Sequence, residues 1–316
     1  MAENKIKILA VVGPTASGKT ALSVRLAQAL NGEVIACDSM QIYRRMDIGT
    51  AKPTAEEMAG VVHHLFDIVE PDEPYSCADY VRDAKKVIDG VAKKGKLPIL
   101  CGGTGLYLDS LLRGGNFEET ETDPALREEL LAYAREQGNH ALHERLRAVD
   151  PESADAIHEN NVKRVVRALE IYMTSGMTKT EADARSRRFE SPYDAKVIGL
   201  RFEDREMLYE RIDRRVDLML SDGLLEETER LLLEGVFDKN ATAAQAIGYK
   251  ELLGYLRGEA TLDESVELLK RATRRYAKRQ MTWFGAKEYV EWITPDCGGV
   301  MRSADEILKM ALDLIH

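Results

Sequence analysis

Eight consecutive residues, Gly13, Pro14, Thr15, Ala16, Ser17, Gly18, Lys19 and Thr20, constrain this chain more than any other stretch. They match the pattern G-x-x-x-x-G-K-[ST], they follow an apolar run from Ile6 to Val12 that reads as a buried strand, and a helical pattern opens at Gly18. A strand that turns through such a loop into a helix aims backbone N–H groups and the positive end of a helix dipole at one spot, where phosphate oxygens fit. Lys19 would neutralise phosphate charge, and Thr20 would place a hydroxyl on Mg2+, a hard ion that prefers oxygen and bridges phosphates. The loop implies a diphosphate or a triphosphate without deciding between them, since kinases and ATPases set the same element against ATP.

Further short buried strands are predicted over Glu33 to Cys37, His64 to Val69, Leu97 to Cys101 and Lys196 to Leu200, most of them separated by helical patterns. This alternation predicts an α/β fold: a P-loop NTPase-like parallel sheet flanked by helices. Ser76 with Asp79 three residues later predicts a helix that runs to Lys94 before Gly95 stops it. From Glu118 to Ser191 strand candidates vanish, charges multiply, and helices are expected over Pro124 to Glu136, His140 to Val149 and Asn161 to Thr174. An inserted all-helical domain is therefore expected over 118–195, within a core domain made of 1–117 and 196–316. Long helices are predicted over Asp204 to Glu234, Thr242 to Leu256 and Leu262 to Phe284.

The 316 residues, 44% of them hydrophobic, can fill a sizeable core. No apolar run is long enough to cross a membrane, and the opening residues run straight into a strand rather than a signal peptide, so a cytoplasmic protein with no membrane contact is expected. The four cysteines, Cys37, Cys77, Cys101 and Cys297, show no C-x-x-C pair; they fit neither a zinc ribbon nor a disulfide framework and are expected as small buried residues. A net charge of −10 has the wrong sign for binding nucleic acid through the average field, so any such contact must be local.

Directly after the second strand come Asp38, Ser39, Met40, Gln41, Ile42 and Tyr43, then Ile48 to Pro53. In a doubly wound sheet this strand end opens onto the crevice beside the first loop, which points Asp38 toward the phosphate site. The structural alternative has Asp38 capping a following helix with Tyr43 packed on it. Taken with GPTASGKT, the segments DSMQIY, IGTAKP, HHLFDI, CGGTGLY (101–107), RALE (167–170), QAIGYKE (245–251) and AKRQMTWF (277–284) decide the matter. In this order, over nearly the whole chain, they resemble the tRNA dimethylallyltransferases, also called isopentenyl-diphosphate:tRNA transferases.

That resemblance implies that the phosphate loop holds dimethylallyl diphosphate, that Asp38 is the general base, and that Lys19 and Thr20 assist the departing diphosphate. It implies contacts to the tRNA anticodon stem-loop from Asp38, Ser39, Met40 and Gln41, from Thr104, from Lys163, Arg164, Val165, Val166 and Arg167, and from Gln245, Ala246, Ile247, Gly248, Tyr249 and Lys250, with Arg127 a further one. The substrate base is the adenosine on the 3′ side of the anticodon, which must be unstacked to be reached. Gln41 would read its edge by paired hydrogen bonds. No Cys/His array follows Trp283, as expected of the compact bacterial type. A monomer is expected.

Arg271, Arg274, Arg275, Lys278 and Arg279 fall at offsets that share one helix face, a strip suited to a polyanion; alone it would read as a solvated surface helix. Trp283 and Phe284 beyond it are expected in the core. Arg211 or Arg215, from a smaller set with Arg214, is expected to reach the diphosphate. His63 and His64 are read as structural, because an oxygen-bound Mg2+ does not favour imidazole. Two other readings stay open from the residues: prenyl transfer to free AMP or ADP, and a small-molecule kinase or nucleotide-binding module.

Overall fold

The structure, a computed structural model, describes residues 5–114, 123–186, 191–239 and 242–315. The chain forms two units, Met1–Leu112 with Pro192–His316, and Arg113–Ser191. The predicted start of the insertion, Glu118, lies outside the described residues.

In the first unit β1 (Ile6–Val12) passes through the glycine-rich loop into α1 (Lys19–Leu30), followed by β2 (Gly32–Ala36), the single turn α2 (Ala55–Met58), β3 (His63–His64), α3 (Cys77–Lys93), β4 (Leu97–Cys101) and α4 (Gly105–Leu112). The second unit holds α5 (Pro124–Gln137), α6 (Asn139–Val149), α7 (Pro151–Ala156), α8 (Val162–Ser175) and α9 (Lys179–Ser186). The chain then returns to the first unit with β5 (Tyr193–Leu200), α10 (Arg205–Ser221), α11 (Leu224–Leu233), α12 (Val236–Lys239), a 3-10 turn (Ala243–Gln245), α13 (Leu253–Leu256) and α14 (Leu262–Gly285). It closes with β6 (Val290–Ile293), the hairpin of β7 (Asp296–Cys297) and β8 (Val300–Met301), and α15 (Ala304–Ile315).

The main sheet has the order β3-β2-β4-β1-β5-β6, with every pairing parallel. Strands buried on both faces must be apolar throughout, which is why β1 carries Ile8, Leu9, Ala10, Val11 and Val12 without interruption. Leu22 and Leu26 of α1 and Ala311 of α15 cover one face; Tyr80, Val81 and Ile88 of α3 and Leu108 of α4 cover the other. Because β4 lies between β1 and β2, the carboxyl ends of all three strands deliver their loops to one edge of the sheet, where α/β folds bind ligands.

Ser76 and Asp79 form a reciprocal capping box that starts α3, and Thr261 with Glu264 does the same for α14. Three predicted elements differ. The strand over His64 to Val69 shrinks to β3, because Leu65 and Asp67 adopt left-handed backbone angles; Val69 keeps a single bridge to Tyr43. The helix predicted over Asp204 to Glu234 breaks at Asp222 and Gly223 into α10 and α11. The one predicted over Thr242 to Leu256 is mostly turn, since Glu251 takes the Gly248 N–H and the Tyr249 hydroxyl is drawn to Glu227. The short α7, α9, β6 and the β7–β8 hairpin were not predicted, nor was α15.

The helical unit has its own core, built from Leu130, Leu142, Leu146, Val165, Val166 and Leu169. Buried Asp150 ties it together, accepting from the Ser153 N–H at the start of α7 and from the N–H and hydroxyl of Thr180 on α9. All four cysteines are free; only Cys37 is buried, Cys77 and Cys101 are partly covered and Cys297 is exposed, against the expectation of four buried residues. No described helix is long and apolar enough to cross a membrane.

Candidate active site

The phosphate loop is held from three sides. Gly13 sits at φ +139°, and a Cβ there would lie 2.7 Å from the Leu200 carbonyl at the end of β5, so only glycine fits. Lys19 Nζ lies back across the loop and donates to the Pro14 carbonyl at 2.6 Å. From α10, Arg211 Nε donates to the Ala16 carbonyl at 3.0 Å, and Arg215 reaches Thr15 Oγ1 at 3.3 Å and the Ala51 carbonyl at 3.4 Å. The structure thus brings both candidate arginines onto the loop. Asp296, fully buried, fixes the start of their helix by accepting the Glu203 and Asp204 N–H groups.

The third side is Gln280 on α14, which the sequence reading did not single out. Its Oε1 accepts the Thr15 N–H at 2.8 Å, and its Nε2 donates to the Gly103 carbonyl at 3.1 Å, so one buried amide bolts the phosphate loop to the turn after β4. A Cβ on Gly103 would lie 1.9 Å from Gln280 Nε2.

Asp38 leaves the end of β2 and turns its carboxylate onto the Met40 N–H at 2.9 Å, an Asx-type turn rather than a helix cap. Thr104 supports it, its hydroxyl accepting the Ser39 N–H at 3.0 Å. Asp38, Lys19, Thr20, Arg215 and Gln280 line one cavity of about 260 Å³. Its apolar wall is Ile212, Val216 and Met219 of α10, Leu269 of α14, and Ala246 with Ile247. Burial pushes the Asp38 carboxyl above its ordinary range, opposed by the Met40 N–H and by Lys19. Burial pulls Lys19 down to about 8, with Arg215 adding to the fall and Cys101 and Asp38 opposing it, and burial also lowers Arg215. The cavity therefore encloses cations that an anion would relieve, beside a carboxylate with more than usual proton affinity.

The segment Ile48–Pro53 closes another wall through a residue the sequence reading missed. Buried Glu227 of α11 accepts the N–H groups of Asp47 at 3.2 Å, Ile48 at 3.0 Å and Gly49 at 3.1 Å, and the Tyr249 hydroxyl at 2.7 Å. Gln41 lines the cavity, but its Nε2 donates to the carbonyls of Thr50 and Ala51. The paired reading of an adenine edge expected of Gln41 would compete with these two bonds.

The remaining predicted residues sort by exposure. Ser39, Met40, Gln245, Ala246, Ile247, Gly248 and Lys250 line the cavity, while Tyr249 is buried beneath it. In the helical unit Lys163, Arg164 and Arg127 are exposed and Arg167 is partly so, but Val165 and Val166 are core residues with no surface to offer, a correction to their expected RNA contact. On α14, Arg271, Arg275, Lys278 and Arg279 are exposed, whereas Arg274 Nη1 is engaged by both oxygens of Asp213 at 2.7 and 2.5 Å and leaves the strip. Phe284 is core as expected; Trp283 is 37% exposed, with Lys287 over its ring, and is not. His64 pairs with buried Glu33, a structural role.

Gln280 was legible in one respect. The inner face of α14 carries Thr273, Tyr276 and Gln280, polar residues where a buried stripe calls for apolar ones, and such violations mark sites. Glu227 and Asp296 gave no comparable signal.

Comparison with known proteins places this geometry. Residues 41–287 match the model of the IPP transferase family, and residues 6–68 match that of isopentenyl transferases. The chain is 52% identical to the tRNA dimethylallyltransferase of Acetivibrio thermocellus and 50% identical to that of Bacillus subtilis, over 92% of this chain and of each relative. The tRNA isopentenylpyrophosphate transferase of Bacillus halodurans superposes with a TM-score of 0.71 at 46% identity, covering 98% of this chain and 97% of that one. A eukaryotic dimethylallyltransferase acting on tRNA superposes with a TM-score of 0.81 at 29% identity, over 98% and 79%. The chain belongs to the IPP transferase family, that of the tRNA dimethylallyltransferases.

Proposed function

We propose that the protein transfers the dimethylallyl group of dimethylallyl diphosphate to the exocyclic N6 amine of the adenosine on the 3′ side of the tRNA anticodon, releasing diphosphate. The observation that carries this reading is one cavity that holds the phosphate loop's Lys19 and Thr20, the carboxylate of Asp38 and an apolar wall. In the step, the bond between prenyl C1 and the diphosphate oxygen breaks, the bond between N6 and C1 forms, and Asp38 takes the N6 proton. The N6 lone pair is delocalised into the ring, so a base with raised proton affinity assists the attack. Lys19, Arg215 and the loop N–H groups stabilise the charge that develops on the leaving diphosphate, and the apolar wall keeps water from the allylic centre.

Mg2+ fits this donor set. Thr20 offers a hard oxygen inside the cavity, and among the described residues no group of three or more His, Cys, Asp or Glu side chains could hold a metal on its own. The ion would be held by Thr20 and mainly by the phosphates, as Mg2+ commonly is, and would supply positive charge to the diphosphate. The relatives' names support tRNA as the acceptor, and so do the exposed cations Arg275, Lys278 and Arg279 on an otherwise acidic chain.

The test is mass analysis of nucleosides after unmodified tRNA is incubated with the protein, Mg2+ and dimethylallyl diphosphate. The expected product is adenosine bearing one dimethylallyl group, formed only when tRNA and donor are both present. Turnover of AMP with no change to tRNA would replace the reading with prenylation of free nucleotides.

A further inference from the structure

The strap of residues 47–51 carries a backbone arrangement of the kind that holds external anions. The N–H groups of Asp47, Ile48 and Gly49 converge on one spot, as in the concave amide nests that bind phosphates. Here the spot is filled from within by Glu227 of α11, 6% exposed, whose carboxylate also accepts the Tyr249 hydroxyl. An ionised carboxylate offers about four acceptor positions, and three N–H groups with one hydroxyl take them. An amide side chain in this place would leave buried donors unmet.

The other side of the strap faces the cavity. Gly49, Thr50 and Ala51 are among its lining residues, and Glu227 is not. The Thr50 carbonyl accepts Gln41 Nε2 at 3.1 Å, and the Ala51 carbonyl accepts Gln41 Nε2 at 2.9 Å and Arg215 Nη2 at 3.4 Å. One peptide oxygen thus receives both the guanidinium that reaches Thr15 of the phosphate loop and the amide three residues beyond Asp38. The strap lies directly on the chain behind it: a Cβ on Gly49 would sit 2.4 Å from the Tyr249 ring, and one on Gly248 would sit 2.7 Å from the Gly49 carbonyl oxygen. Its position is set from behind by Glu227 and Tyr249 and passed forward to Gln41 and Arg215.

We propose that Glu227 is a positioning residue for both substrates, fixing the strap so that the Ala51 carbonyl holds Arg215 toward the diphosphate and Gln41 beside the incoming base. The inference rests on the dimethylallyl-transfer reading above and adds to it a residue outside the cavity on which the site's geometry depends. Glu227 touches neither substrate; it acts through the strap.

The test is a pair of mutant cycles on the full chain, read by steady-state prenylation of an unmodified anticodon stem-loop. E227Q keeps the shape but turns amide hydrogens toward donors that need an acceptor. It is expected to raise KM for dimethylallyl diphosphate and KM for the stem-loop several-fold each, and to lower kcat by about tenfold, within the range of a small misplacement of reacting groups. Groups in one hydrogen-bond network do not act additively, so in an R215Q background E227Q should change the donor KM by no more than about two-fold further, and in a Q41A background the same limit should hold for the stem-loop KM. Full additivity in either background would show Glu227 to be structural and overturn the proposal. Thermal unfolding of each variant is recorded alongside. If E227Q unfolds, G49A carries the test: it keeps Glu227 but drives the strap off the Tyr249 ring, and unchanged KM values for both substrates in it would overturn the strap's role. A wild-type protein that leaves the stem-loop unprenylated would instead remove the underlying reading, a result visible before any variant is made.

Discussion

The cavity of the sheet-containing unit and the helical unit's Arg127 and Arg167, which share the carboxylate of Glu170, use charge in opposite ways. In the cavity, Lys19, Asp38 and Arg215 are enclosed together, and each is driven toward its neutral form by burial. In the helical unit the acid alone is buried, while the two arginines it holds stay at the surface. Enclosed charges interact strongly, respond to single atoms and suit a chemical step; exposed charges are screened, add up in small increments and suit docking. The difference predicts which substitutions stop turnover and which only weaken binding.

The largest effect is expected at the base. Asp38→Asn should lower kcat by about two to four orders of magnitude while diphosphate binding is largely kept. Equal losses in kcat and diphosphate affinity would mean that Asp38 shapes the cavity rather than acting in it. Next comes Gln280→Leu, which removes both bonds of the bolt between the phosphate loop and the Gly103 turn. It should cost about 10- to 100-fold in kcat/KM for the donor, the scale of a small misplacement of reacting groups, with little change in RNA affinity. A change confined to melting temperature would make Gln280 a packing residue.

The third effect is a pH dependence. Lys19 in the free protein titrates near 8, below its ordinary 10.5. Between those values the unfolded chain binds more protons than the folded one, so the ligand-free protein gains stability as pH rises through that window. Donor binding draws Lys19 back to its charged form, so donor affinity should fall about tenfold per pH unit above 8, with proton uptake seen by calorimetry in buffers of different ionisation heat. A flat profile from pH 7.5 to 9.5 would show that the Lys19 charge is not needed. The smallest effect belongs to the outer face of α14. Arg275→Ala with Lys278→Ala should weaken RNA binding only a few-fold at moderate salt, while lowering the salt slope by about 1.5. Arg274, engaged by Asp213, is not part of that test.

The same contrast explains what could be seen in the sequence. The phosphate loop and the Asp38 segment are runs of neighbouring residues, and their chemistry is carried by local backbone geometry, so both were legible, as was the parallel sheet from its unbroken apolar strands. The partners of the residues that hold these segments in place were not. Gln280 meets Thr15 across 265 positions, and Glu227 meets Gly49 across 178. No pattern in either neighbourhood names the partner. Val165 and Val166 were drawn into the RNA contact because they sit between Arg164 and Arg167, although adjacent helix residues face different ways and these two face the core.

One consequence concerns how this chain can change over evolutionary time. Along α14, Gln280 points to the phosphate loop while Arg279, one residue earlier, is exposed, and each residue step turns the helix by about 100°. Inserting or deleting a single residue between the Thr261 cap and Gln280 would swing the outward cations inward and carry the amide off its two partners in one event. Length in this helix is therefore under tighter constraint than composition: sequences can drift at its exposed positions, but frame-preserving indels of one codon should be eliminated.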